Sequence, residues 1–400
     1  MCSVENCELE NFENNDKCIY HCDKKLWNHK NNCIELDNKL EYFWKSLNEY
    51  ILLKNKNNEN YVFNKFIFPS VGVFSFFDNK NSFDSINNKM DFYFKKCVFY
   101  GKSNFSIFNK LENITFRECE FKQGVLFESL EINGKFLFEE NKAKSNIFFK
   151  RCTFNGTSSF IGSKFLSELN FYHVSFKKSA LFNGVRIDDL LFENTYFESN
   201  FTFLKVSINK LSRETARIIK DSFEQQNNII EANKYYALEM KEREKELNQD
   251  RKEGKNLLEW LVFKVHGLAS NHSQDWLLSL FWILSFSFGY GFVNCINKYL
   301  DTKLEFMLID IILFGMITLI SVFVVESKRI NNYILIAIFY LIYSFTSKDF
   351  SLFDISNNIN PFSIMTGWQE LSFLTLSYKI IIAYLIYQLI ISIRQNTRRK

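Results

Sequence analysis

Nine phenylalanines recur at one spacing without a miss: Phe94, Phe105, Phe116, Phe127, Phe138, Phe149, Phe160, Phe171 and Phe182. Each stands eleven residues after the last. Phe supplies 46 of the 400 residues, too few for composition alone to place nine in one register. A fixed short period means one structural unit, copied and stacked. A second apolar series runs five residues behind the first. It comprises Phe99, Phe121, Ile132, Phe154, Phe165, Phe176 and Ile187, with Lys110 and Ala143 as gaps. The alternating steps of five and six fit neither the 3.6-residue period of a helix nor the period of two of a plain strand.

A unit this short cannot bury a large side chain by itself, whereas a stack of copies encloses a continuous apolar column. Two such units make one coil of about 22 residues, and coils stack at the strand spacing of about 4.8 Å. Residues 83–203 then supply roughly five coils and a rod of about 25 Å. Weaker echoes at Phe66, Phe77 and Phe83 extend the pattern towards Tyr61. A small residue precedes the second apolar position by two places: Cys97, Cys119, Cys152, Ser163 and Val174 in FKKCVF, FRECEF, FKRCTF, FIGSKF and FYHVSF. All the phenylalanines and cysteines of the repeat are expected in the core.

This pairing of a large residue with a small one two places earlier resembles the pentapeptide-repeat proteins. The resemblance spans residues 61–205. It departs from the usual pattern in its five–six rhythm and in using Phe for Leu, as the Phe-rich variety of these repeats does. It implies a right-handed, four-sided parallel β-helix. The fold class expected is therefore mixed: a β-helix solenoid capped by helices, followed by an α-helical membrane domain. Some proteins of this kind mimic DNA with an acidic rod. Here residues 61–205 carry 19 Lys and Arg against 15 Asp and Glu, the wrong sign for imitating a polyanion. The whole chain, with 49 basic and 45 acidic residues, is too balanced to argue for nucleic acid.

Beyond Phe203 the period changes. Residues 206–255 read as a helical hairpin, with Leu211, Ile218, Ile219 and Phe223 on the first helix. Ile229, Ala232, Tyr236, Met240 and Leu247 mark the second. The pair is expected to cap the open end of the solenoid, whose last strands would otherwise be unpaired. This stretch also resembles the linker that follows the repeats in membrane-attached pentapeptide-repeat proteins. Residues 256–270 read as a helix lying in the membrane interface, anchored by Trp260 and Lys264.

Residues 271–400 contain four apolar stretches: Trp276–Ile296, Leu304–Val325, Ile330–Phe345 and Ser372–Ile393. A spanning helix needs about 20 apolar residues. The first, second and fourth meet this length; the third is short, a tilted or re-entrant segment. Lys328 and Arg329 between the second and third, and Arg394, Arg398, Arg399 and Lys400 after the fourth, place both termini on the cytoplasmic side of an inner membrane. The acidic start, without an apolar signal region, agrees. Asp310, inside the second stretch, is a candidate functional carboxylate. The long connection 351–370 invites comparison with a channel pore, although it lacks a potassium-filter sequence.

Residues 1–37 form a Cys/His-rich head, and 38–60 a capping helix and linker with Phe43, Trp44, Leu47 and Ile51 turned inward. Zinc takes four soft ligands, usually two close pairs. Cys2 with Cys7 and Cys18 with Cys22 supply the pairs, with His21, His29 and Cys33 as alternates. An odd total of nine cysteines, five before residue 34, fits reduced thiols better than a disulfide framework. No nucleophile elbow, P-loop or HExxH occurs, so an enzyme is not expected. The expectation is a membrane-anchored scaffold that docks a protein partner on its solenoid. The alternative is a channel or transporter gated through it.

Overall fold

The computed structural model describes residues 1–5, 7–13, 15–27, 34–70, 91–106, 108–199, 201–300, 306–327, 332–366 and 373–397. The chain divides into two units, Met1–Gln226 and Asn227–Lys400. Phe77 and Phe83, two echoes of the repeat, lie outside the described residues.

The first unit is a parallel β-solenoid of about five turns. Strands pair with those 22 residues further on, so that Phe94 meets Phe116 and Phe116 meets Phe138. Four ladders run along the rod. The first links seven strands from Tyr61–Asn64 to Phe201–Thr202. The second carries two-residue strands such as Val98–Phe99 and Glu120–Phe121. The third runs through Val125–Glu128 and Ile147–Lys150, and the fourth through Glu131–Ile132 and Thr153–Phe154. At Lys164–Tyr172 one strand turns the corner and serves both the second and third ladders.

The eleven-residue series falls alternately on the first and third ladders. Its rings stack coil upon coil: Phe94 on Phe116 at 4.8 Å and 8°, Phe127 on Phe149 at 4.6 Å and 2°. The second series fills the other two ladders, with Phe99 on Phe121 at 4.7 Å and Phe154 on Phe176 at 4.9 Å. These separations equal the strand spacing, so ring stacking and backbone pairing reinforce one another. The two gaps resolve differently. Lys110 is exposed and its neighbour Leu111 points inward, because that coil holds its extra residue one step earlier. At Ala143 the missing ring is replaced by Phe138, which leans across to stack on Phe121 at 5.4 Å and on Phe165 at 5.7 Å.

The small residues have a polar task as well as a steric one. At five corners the side chain donates to the carbonyl of an inward Phe in the preceding coil. Cys97 Sγ reaches Phe63 O at 3.2 Å, Cys119 Sγ reaches Phe94 O at 3.3 Å, and Cys152 Sγ reaches Phe127 O at 3.4 Å. Ser163 Oγ donates to Phe138 O at 2.7 Å, and Asn141 Nδ2 to Phe116 O at 2.9 Å. Asn141 also accepts from the Cys119 amide at 2.7 Å. It is buried, so Asn141→Leu would strand both groups, at about 1–3 kcal/mol for each. We expect a clear fall in the thermal midpoint, while Asn141→Ser, which keeps a donor, loses less.

Both ends of the solenoid are covered. Helix Ile34–Lys56 buries Phe43, Leu47 and Ile51. Tyr20 stacks on Phe66 at 4.6 Å, and its carbonyl accepts from the Ile67 amide at 2.9 Å. At the other end, helix Arg213–Gln225 begins at Ser212, whose side chain accepts from the Thr215 amide. Thr215 Oγ1 takes the amide of Phe192 at 2.9 Å, which satisfies a donor on the last full coil. The expected two-helix cap is thus one helix in this unit. The second, Ile229–Lys252, belongs to the other unit and packs on helix Leu257–Ser270.

The second unit continues with helices Trp276–Leu300, Phe306–Ser327, Asn332–Ser347 and Phe373–Thr397. A short helix Phe353–Ile359 and a 3₁₀ turn Pro361–Thr366 lie between the last two. Among the described residues two segments, Trp276–Ile296 and Thr375–Thr397, are long and apolar enough to cross a membrane. Tyr333–Ser347 is a shorter apolar helix. Trp260 and Lys264 are tied to the neighbouring helix. Trp260 Nε1 donates to Asn248 Oδ1 at 2.9 Å, and Lys264 Nζ to Glu244 at 3.2 Å, both on the neighbouring helix. The exposed stripe is instead Leu257, Leu258, Leu261, Val262 and Val265. The partner helix took the polar face and left the aliphatic one.

Candidate metal centre

The chain before the first strand is held by short turns. The Cys2 amide donates to Leu9 O at 2.9 Å, the Ser3 amide to Asp16 O at 2.8 Å, and the Cys7 amide to Val4 O at 3.1 Å. A second turn puts the amides of His21 and Cys22 on the carbonyl of Cys18, each at 3.0 Å. These turns converge four ligand atoms. One from each of Cys2, Cys7, Cys18 and His21 lies within 4.8 Å of all the others.

The closest approaches are Cys18 Sγ to His21 Nδ1 at 3.1 Å, Cys2 Sγ to His21 Nδ1 at 3.4 Å, and Cys7 Sγ to Cys18 Sγ at 3.6 Å. His21 Nε2 sits 3.0 Å from the carbonyl of Asn64, at the end of the first strand of the solenoid. A carbonyl only accepts, so Nε2 carries the proton and Nδ1 turns its lone pair to the three sulfurs. This is the arrangement that fixes the tautomer of a metal-ligating histidine. The Cys18 amide donates to Cys2 Sγ at 3.2 Å, a bond that favours thiolate there. Burial pushes the Cys18 thiol up to about 12, and lowers His21 below its ordinary value. For Cys2, burial acts upward but is outweighed by the amides of Cys18 and Val4, and the thiol lies lower than usual.

The four residues expected first were Cys2, Cys7, Cys18 and Cys22. The structure gathers the first three and sets His21 in the fourth place. The thiol of Cys22 is buried outside the cluster, near Ile19 O at 3.6 Å, and burial raises it. His29 and Cys33 lie outside the described residues, as does the side chain of Asp310.

Two participants carried no signal in the sequence. Asn64 contributes a backbone carbonyl, which no residue pattern reveals. Lys24 is buried, donates to Cys22 O at 3.1 Å and lies over the rings of Phe43 and Trp27 at 4.9 and 5.5 Å. It makes no ion pair among the described residues, and burial lowers it to about 8, with Cys22 and Cys18 opposing that shift. This buried ammonium is held by a carbonyl and two ring faces.

A comparison of the chain with protein-family profiles, with curated proteins and with solved structures gives no match.

Proposed function

We propose that this chain is a membrane-anchored scaffold of the pentapeptide-repeat kind, holding its solenoid at a bilayer surface for a protein partner to dock. The observation that carries the reading is the exterior of the second unit. Leu319, Phe323, Ile334, Phe345, Ile380 and Ile390 are all more than half exposed on its helices. Large apolar surface of this kind is unfavourable in water on a soluble protein, while lipid accommodates it. Of the two long windows Trp276–Ile296 is 61% buried and Thr375–Thr397 only 33%, so the last helix is the one least like the core helix of a soluble domain. We read four crossings, with Phe306–Ser327 and Asn332–Ser347 as the second and third and both termini in the cytoplasm of an inner membrane. The stripe from Leu257 to Val265 then lies against the lipid. Carbonate-washed membranes should retain the full chain; recovery in the wash would end this reading.

Cys2, Cys7, Cys18 and His21 would hold zinc, since three thiolates and an imidazole are a usual structural set. Bound there, the metal would clamp residues 2–21 to the first strand of the solenoid through Asn64. Chain prepared without chelator should contain one equivalent by mass spectrometry, and less than half an equivalent would reject it. We read the chain as a binding protein rather than an enzyme.

One observation favours conduction as a second reading. Lys379, buried in the last helix, donates to Asn358 O at 2.6 Å, Asn360 O at 2.9 Å and Ser363 Oγ at 2.7 Å. Such a cation inside a membrane domain marks ion pathways as well as structural locks. Reconstituted vesicles should then show ion flux that Lys379→Met and Asp310→Asn alter; the absence of flux from the intact chain would exclude it.

A further inference from the structure

The chain turns sharply between helix Leu257–Ser270 and helix Trp276–Leu300. Three consecutive residues, Asn271, His272 and Ser273, take left-handed backbone angles, with φ of 48, 53 and 64°. None is glycine, and such strain persists only where the surrounding contacts hold it. The turn folds His272 back onto His266, and their Nδ1 atoms face each other at 3.1 Å. His272 is buried, its ring packed on Phe263 with centroids 4.2 Å apart. The same turn engages helix Phe373–Thr397. Ser270 Oγ accepts from the Ser273 amide at 2.8 Å and donates to Gln388 Oε1 at 3.1 Å, and Ser273 Oγ donates to the same oxygen at 3.4 Å. Helix Trp276–Leu300 meets this corner through Trp282 Nε1, which donates to Leu268 O at 2.7 Å, and Ser279 Oγ, which donates to Ala269 O at 3.0 Å.

The protons of this cluster follow from its partners. The Ser273 hydroxyl donates to Gln388, so towards His266 Nε2, 3.5 Å away, it accepts. His266 therefore carries its proton on Nε2 and offers its Nδ1 lone pair to the Nδ1–H of His272. The remaining lone pair is on His272 Nε2, which lies against the helix, since a Cβ on Gly267 would come within 3.0 Å of it. A proton added there would be crowded against Gly267, and one added at His266 Nδ1 would face another N–H.

We propose that the His266–His272 pair is an acid-released latch: neutral, it holds the end of helix Leu257–Ser270 onto helices Trp276–Leu300 and Phe373–Thr397, and charged, it lets go. The inference needs neither the zinc nor the docking reading. With the pair charged, His272 leaves its place on Phe263, the left-handed turn relaxes, and Ser270 and Ser273 lose their joint hold on Gln388. Burial and the facing His266 imidazole lower His272 to about 4, with Glu244 opposing them and Lys264 adding to them. Those two charged groups, on helices Ile229–Lys252 and Leu257–Ser270, are paired with each other at 3.2 Å. Burial lowers His266 as well, and Gln388, uncharged, opposes it. Asp275, in the turn, accepts from the Leu278 amide at 3.1 Å. The open turn thus takes a proton that the closed one refuses. The latch is fully closed above the ordinary histidine value of 6.5 and loses up to about tenfold per pH unit as the pH falls from there towards about 4.

The test is hydrogen exchange on the full chain in detergent, corrected for the intrinsic rate, at about pH 7.5 and about pH 4.5. Residues 263–275 should open at least about tenfold more at the lower pH, while residues 276–296 and 375–393 keep their protection. Acid effects on His21 in the head do not enter, because the readout is local. His272→Asn, which tolerates the left-handed angle and cannot titrate, should lose most of the acid response. Should that variant fail to fold, nitrogen-15 spectra of the histidine-labelled native chain give the same answer: two rings should stay neutral at a pH where free histidine is mostly charged. No change in 263–275 at the lower pH, an equal response in His272→Asn, or opening that spreads at once to residues 375–393, which is acid unfolding, overturns the proposal. So do spectra in which every ring charges with free histidine.

Discussion

Phe138→Ala should destabilise the solenoid by about 3–5 kcal/mol, the range for removing a buried aromatic ring. The upper end is expected, because Phe138 fills two places. In its own ladder it pairs with Phe116, and its ring also stacks on Phe121 at 5.4 Å and Phe165 at 5.7 Å over the position of Ala143. Removing it leaves two alanines facing one void, bordered by Phe116, Phe136 and Phe160. The loss should be local, since each coil of a solenoid contacts only its neighbours. Hydrogen exchange should therefore show protection falling first in strands Phe136–Glu139, Lys142–Ala143 and Lys164–Tyr172. Restoring a ring by Ala143→Phe in the Phe138→Ala background should recover part of the loss, because the second ladder carries Phe at Phe99, Phe121 and Phe165. The same Ala143→Phe change made alone should destabilise, as it would compete with Phe138 for one space. That reversal of sign is the outcome pairwise coupling requires. Additive effects would mean that Phe138 does not occupy the gap.

The periodic core was legible because it obeys one rule: a ring every eleven residues and a second apolar residue five behind. What escaped is what departs from the rule by one residue or by one rotamer. Lys110 and Leu111 exchange roles through a one-residue shift that a fixed period cannot register. The lean of Phe138 is a side-chain rotation, invisible in spacing. The corner bonds from Cys97, Cys119, Asn141 and Ser163 give the small position a second use, as a donor, hidden behind a size preference that Val174 meets without one. On helix Leu257–Ser270 the apolar and charged residues were plain, but the direction of each face depended on the salt bridges from Arg243 to Glu259 and from Lys264 to Glu244. The head shows the same limit. Composition identified the cluster, while the choice between adjacent His21 and Cys22 was set by a turn, and a turn decides which of two neighbours points where.

His21→Ala should abolish stoichiometric zinc, whereas Cys22→Ser should retain it. A structural zinc contributes on the order of 10–16 kcal/mol in small zinc-dependent folds. One ligand in four is then worth about 3 kcal/mol, more than a hundredfold in affinity. Cys22 has no such share, since its thiol lies outside the cluster and beside Ile19 O. Replacing it by serine keeps a small polar group in a buried site, and the expected cost is a modest fall in stability with one equivalent of metal kept. Consequences for the solenoid should follow the metal. His21 bonds to Asn64 O, and the adjacent Tyr20 carbonyl takes the Ile67 amide, so the head covers the first coil through two backbone groups. Loss of zinc would free both, and strand Tyr61–Asn64 would become an uncovered edge open to pairing with another chain. His21→Ala, or exhaustive chelation of the native chain, should therefore raise proteolysis and exchange in residues 1–27 and 61–68 and promote self-association, while coils beyond Phe116 stay protected. Equal zinc in the two variants would show that His21 is no ligand. Loss of zinc in Cys22→Ser alone would return the fourth place to Cys22.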